Sequence, residues 1–257
     1  MGKQSRIIGR QQRLARAAAQ RRRAKRNRIL AYGGGLVIVG LIVAIVVAVV
    51  NAMGGGQSSA GGEAPTKLVT PANTTAAGAI AIGNPAAPVK VEIYLDYMCP
   101  FCGRFDRAND EELNRLIADG TMRLEVHLMS FLDRASSGTR YSTRAANAVA
   151  TVADRAPDKV MAFNQSLFAQ QPHEGSRGLT DAHIADIARG VGVPRDAIDA
   201  FASRTFESWI AQVTETAFAA GVNSTPTVKV NGVVFKGDLL TAGPLTEAII
   251  SAAKGQQ

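Results

Sequence analysis

Cysteine is almost absent: the 257 residues hold two, Cys99 and Cys102. Two thiols exclude a multi-disulfide scaffold and cannot complete the four-ligand set of a structural zinc site. Histidine is equally sparse. His127, His173 and His183 are scattered at no metal-binding spacing, so each reads as an ordinary surface or core histidine, and neither a metal nor a cofactor is expected. Acidic residues are missing from residues 1–28, which carry eleven of the 29 Lys and Arg. The remainder holds 18 basic against 21 acidic residues, so the formal charge of +8 belongs to a tail and the rest of the chain is mildly acidic. No aromatic side chain is interleaved with those arginines, which argues against a nucleic-acid-binding arm.

Charge of either sign is missing from residues 29–53, and residues 36–50 are a nearly unbroken run of Val, Ile, Leu and Ala. As a helix that stretch reaches about 37 Å, more than the roughly 30 Å hydrocarbon core of a bilayer. It reads as a transmembrane helix. The basic cluster before it sets the orientation: residues 1–28 form a cytoplasmic tail, and everything after the span lies outside the cell membrane. A cleaved signal peptide is the competing reading, but its apolar core runs only about 7 to 15 residues, so an uncleaved signal-anchor is preferred. Residues 54–79, rich in Gly, Ser, Ala, Thr and Pro without apolar periodicity, read as a flexible linker. The folded domain is expected over residues 80–257.

Within that domain, residues 79–82 are a short strand candidate, and Val89, Val91, Ile93 and Leu95 alternate with Lys90, Glu92 and Tyr94 as a strand does. Cys99-Pro100-Phe101-Cys102 follows, then Phe105, Asn109, Leu113, Leu116 and Ile117 at helical spacing, and a second strand over 123–129. Residues 140–221 carry only helical patterns, the profile of a helical insertion. Sheet returns at 227–230 and 233–236 around Asn231-Gly232, a pair that tolerates the positive φ of a type I′ hairpin turn. A last helix is expected over 244–253.

A Cys-x-x-Cys closing so short a loop constrains an unfolded chain little, which makes a structural disulfide implausible. At a helix N-terminus, unpaired N–H groups and the helix dipole favour a thiolate, and a thiolate exchanges disulfides. The pair therefore reads as a redox centre.

Together the stretch Leu95-Asp96-Tyr97-Met98-Cys99-Pro100-Phe101-Cys102, the helical insertion and Ser224-Thr225-Pro226-Thr227 resemble the DsbA-like branch of the thioredoxin superfamily, over about residues 80–255. The resemblance implies an α/β thioredoxin-like fold with an inserted helical subdomain, behind one N-terminal transmembrane helix. It implies that Cys99 is the attacked and attacking sulfur and Cys102 the resolving one. It also implies that Pro226 is cis and faces the pair, with the Thr225 backbone offered to substrate in strand-addition fashion. The expected activity is that of a membrane-tethered thiol:disulfide oxidoreductase that oxidises reduced exported proteins. A membrane reoxidase of the DsbB or vitamin-K-epoxide-reductase-like (VKOR-like) type would then restore the disulfide. Two departures stand out. Strongly oxidising relatives carry His where this chain has Phe101, which cannot donate to the thiolate, so stabilisation is expected to rest more on the helix end. Many relatives place a buried Glu six residues before the first cysteine; here that position is Ile93, with Glu92 on the opposite face. A reductase or isomerase of the same fold stays open, as does a non-catalytic binding module.

Overall fold

The computed structural model describes residues 68–255. The transmembrane helix expected over 29–53, the tail and most of the linker lie outside the described residues. Among the described residues no helix is long and apolar enough to cross a membrane.

Five strands, β1 (Ile80–Ile82), β2 (Val89–Leu95), β3 (Met122–Leu128), β4 (Thr227–Val230) and β5 (Val233–Val234), form one sheet in the order β1-β3-β2-β4-β5. Among the described residues seven α-helices accompany them: α1 (Pro100–Ala118), α2 (Tyr141–Arg155), α3 (Val160–Ala169), α4 (Asp181–Gly190), α5 (Arg195–Asp199), α6 (Glu207–Ala219) and α7 (Pro244–Lys254). β2 and β3 are parallel, with Val89 opposite Met122 and Leu95 opposite Leu128, and α1 makes the crossover between them. The remaining pairs are antiparallel.

Alternation along β2 sorts its side chains between two covered faces. Val91, Ile93 and Leu95 join the main core with Phe105 and Leu116 of α1 and Ile249 of α7. Tyr94 packs on the other side with Met129, Ala217 of α6 and Val222. That second face also carries charge. Glu92 and Glu125, opposite each other in register, are buried beside Lys90, whose Nζ lies 3.1 and 3.7 Å from their carboxylates, and Arg123 approaches Glu125 at 3.5 Å. His127 stacks on Tyr94 at 4.1 Å, and burial brings its pKa down to about 4. Donor atoms of Glu92, Glu125 and His127 lie within 4.8 Å of one another, but Lys90 and Arg123 already neutralise the carboxylates.

Between β3 and β4 the helical insertion is built around α2, whose buried residues include Ala145, Ala146, Ala148, Ala150 and Ala153. Such small side chains let neighbouring helices approach closely. Asn147, fully buried in this helix, donates to Phe201 O and accepts from Phe206 N, which fixes the connection between α5 and α6. Thr180 caps α4 by accepting from His183 N.

Two expectations need correction. The linker was expected to run to residue 79, yet its last residues belong to the domain. Pro71 and Ala79 are buried, Ala72 N donates to Asp154 Oδ1, Asn73 Nδ2 donates to Ala153 O, and Thr74 bridges to Ile80. Composition hid this, because the contacts are polar and reach a helix some eighty residues away. The second hairpin strand stops at Val234 instead of residue 236. It lies at the sheet edge with Val233 and Val234 exposed, so no second face holds it, although Asn231 and Gly232 have the positive φ the hairpin requires.

Candidate active site

Leaving β2 at Leu95, the chain turns at once, with Cys99 N donating to Asp96 O at 3.0 Å. Cys99 is the N-cap of α1 in extended conformation, and its side chain makes no full capping hydrogen bond. Pro100 occupies the first helical turn, where its missing N–H costs nothing. From the insertion, Gln171 Nε2 donates to Tyr97 O at 3.0 Å and Cys99 O at 2.8 Å, which clamps the turn. Gly103 makes room for that clamp: a Cβ there would fall 2.1 Å from Gln171 Oε1.

Both cysteines carry free thiols. The order of exposure follows expectation, but Cys99 is only 5% exposed and Cys102 fully buried, so access to the sulfur runs through a groove. Their acidities are pushed apart. Cys99 is brought down to about 6, first by the thiol of Cys102 donating to it, against burial, then by the Thr225 hydroxyl and the N–H groups of Cys102 and Phe101. Burial raises Cys102 well above the ordinary thiol value, and its bond to Cys99 raises it further. The helix-end N–H groups, on which stabilisation was expected to rest more heavily, are thus smaller contributors than the Cys102 thiol.

The Thr225–Pro226 peptide bond is cis, and Thr225 O lies 3.3 Å from Cys99 Sγ. Thr225, Cys99, Phe101, Phe131 and Phe218 line a groove of about 450 Å³. Phe101 and Phe218 are 51% and 49% exposed, and the Phe131 and Phe218 rings meet at 4.1 Å. Exposed aromatic surface beside a reactive sulfur is a place for an apolar side chain of a partner. All six residues marked by the sequence, Cys99, Pro100, Phe101, Cys102, Thr225 and Pro226, therefore meet at one end of the sheet.

A thiolate-forming cysteine at a helix N-cap, facing a cis-proline loop across a sheet of this order, agrees with the family comparison. The family described as Thioredoxin matches residues 75–249, more than half of the chain. The chain belongs to this thioredoxin family. Among solved structures it is similar to reduced DsbA of Mycobacterium tuberculosis, at 27% identity over 70% of this chain and 100% of that one, with a TM-score of 0.56. It is also similar to MdbA of Actinomyces oris, a thiol-disulfide oxidoreductase, at 25% identity over 70% and 88% of the two chains, with a TM-score of 0.60. Part of the chain is 35% identical over 126 residues to the serine/threonine-protein kinase PknE of Mycobacterium tuberculosis, covering 48% of this chain and 22% of the kinase. The chain thus spans about a fifth of that protein's length.

Over about 70% of its length this thioredoxin-family member is similar to DsbA-like thiol–disulfide oxidoreductases. Three parts of its site escaped the sequence. Gln171 reads only as the end of α3, Ser142 as one more helix residue, and Asp96 as an ordinary member of its stretch. Each acts through a bond to a residue at least 46 positions away.

Proposed function

We propose that the protein is a membrane-tethered oxidase that forms disulfides in exported proteins. The observation that carries the reading is the split in acidity between the sulfurs. A Cys99 thiolate held at about 6 beside a protonated, buried Cys102 favours the reduced pair over the disulfide, and that makes the disulfide an electron acceptor. A substrate thiolate attacks Cys99 Sγ of the disulfide, the S–S bond breaks, and Cys102 leaves and takes a proton. A second substrate thiol then attacks the substrate sulfur of the mixed disulfide and releases Cys99 as thiolate. Two electrons have moved from substrate to the pair. Thr225 offers main-chain pairing to the substrate segment, and the aromatic groove receives an apolar neighbour of its cysteine.

The uncharged run at 29–53 and the basic cluster before it support a location outside the cell membrane with the N-terminus cytoplasmic. There a membrane reoxidase of the DsbB or VKOR-like type would accept the electrons. Reductase or isomerase action is the second reading, favoured by Phe101, which gives the thiolate no donor of its own.

The test is the reduction potential of Cys99–Cys102 together with oxidation of a reduced, unfolded protein. An oxidase lies near about −120 mV and a reductase near about −270 mV. Cys99→Ser abolishes turnover; a potential at the reducing end without net oxidation of substrate transfers the assignment to the second reading.

A further inference from the structure

We infer that the Asp96 carboxylate is a positioning residue that restrains the Cys99 thiolate, so that the cysteine pair is less oxidising than its place at the helix N-terminus alone would make it. The inference rests on the disulfide exchange proposed for the pair, and names the group that sets its driving force.

Asp96 is fully buried, and every partner of its carboxylate is a neutral donor. Oδ1 accepts from Met98 N at 2.8 Å and Ser142 Oγ at 2.6 Å, and Oδ2 accepts from Leu132 N at 2.9 Å. These donors belong to the residue before Cys99, to the first turn of α2 and to the wall of the groove. The main chain of Asp96 touches both cysteines: its N–H lies 3.5 Å from Cys102 Sγ, and its carbonyl accepts Cys99 N. The other titratable groups facing it are the phenols of Tyr97 and Tyr141, both pushed up by burial and so neutral alongside it. No cation offsets its charge among these contacts. Burial and, least of the causes, the charge on Cys99 lift Asp96 to about 6 against its three donors. That repulsion is mutual, so an ionised Asp96 disfavours the thiolate.

The consequence is a shared proton. When a substrate dithiol reduces the disulfide, two electrons pass to the pair and the substrate closes its own disulfide. One substrate proton ends on Cys102. The other goes to solvent at high pH and near pH 6 is shared between Asp96 and Cys99. Asp96 and Cys99 therefore titrate as a pair rather than singly.

The experiment follows Cys99 in the reduced full-length protein by ultraviolet thiolate absorbance and alkylation rate, with the potential measured against glutathione. Asp96→Asn lowers the Cys99 pKa by about one unit, which raises the thiolate fraction nearly tenfold at about pH 4, and raises the potential at pH 7 by about 30 mV. Ser142→Ala keeps the acid but removes its hydroxyl donor, so Asp96 holds its proton more tightly and the Cys99 pKa falls in the same direction by less. A merely structural Asp96 gives the opposite sign, because a loosened turn withdraws the Phe101 and Cys102 N–H groups from the sulfur. Infrared difference spectra at pH 6 show a carboxylic-acid band on reduction, absent in Asp96→Asn. An unchanged or raised Cys99 pKa in both variants overturns the inference, and Ser142→Ala alone decides it where Asp96→Asn fails to fold. If the parent protein oxidised no thiol substrate, the proposed function would fall while these titrations still tested Asp96.

Discussion

Cys99 and Cys102 sit one helical turn apart and depart from the ordinary thiol in opposite directions. For the reduced protein this fixes a pH dependence. Cys99 has a folded pKa below its unfolded value, so its contribution is present above the unfolded value and is lost as pH falls through about 6. Denaturation of the reduced form, compared with the disulfide form, should therefore show stability rising between about pH 6 and pH 9. Thr225→Val removes the hydroxyl from the sulfur while keeping shape, and alkylation rates should report a Cys99 pKa raised by a fraction of a unit. Asp106 has the reverse sign. Burial, then the neighbouring charge of Asp110, lifts it to about 7, so ionising it costs stability as pH rises from about 4 to about 7. Asp106→Asn should stabilise the protein at pH 8, by on the order of 2 kcal/mol, and the gain should vanish below pH 4 in denaturant titrations.

Elements were legible in the sequence wherever one short stretch carries its own reason. β2 shows its alternation, α1 its apolar spacing, and the β4–β5 turn its Asn231-Gly232 pair, and each forms where the pattern places it. The cysteine pair and Thr225-Pro226 were legible for the same reason, being contiguous. What local pattern cannot carry is a bond made across the fold. Gln171 reaches the turn before α1 from the end of α3, and Ser142 reaches Asp96 from the start of α2, with no signature at either end. β5 was overestimated because its valines have strand propensity but no second sheet face to bury. Buried Asn147 gives the element scale its test. Asn147→Ala strands Phe206 N–H and Phe201 C=O inside the insertion, and urea unfolding should show a loss of about 2 to 3 kcal/mol.

For the whole molecule, the insertion and the thioredoxin-like sheet share one groove, with the sulfur and Thr225 on the sheet side and Phe131 and Phe218 on the other. Phe218→Ser should raise the KM for a peptide with an apolar residue beside its cysteine by on the order of tenfold, while leaving the Cys99 titration in place. α6 links this groove to the start of the domain. Val213 faces the segment that precedes β1, so closely that a Cβ on Gly78 would fall 2.8 Å from Val213 Cγ2. The next residue, Thr214, accepts from Ser130 N in the groove wall. Two adjacent side chains on α6 thus touch the segment before β1 and the wall of the groove. One helix ties the segment before β1 to the groove wall and carries Phe218 near its own C-terminal end.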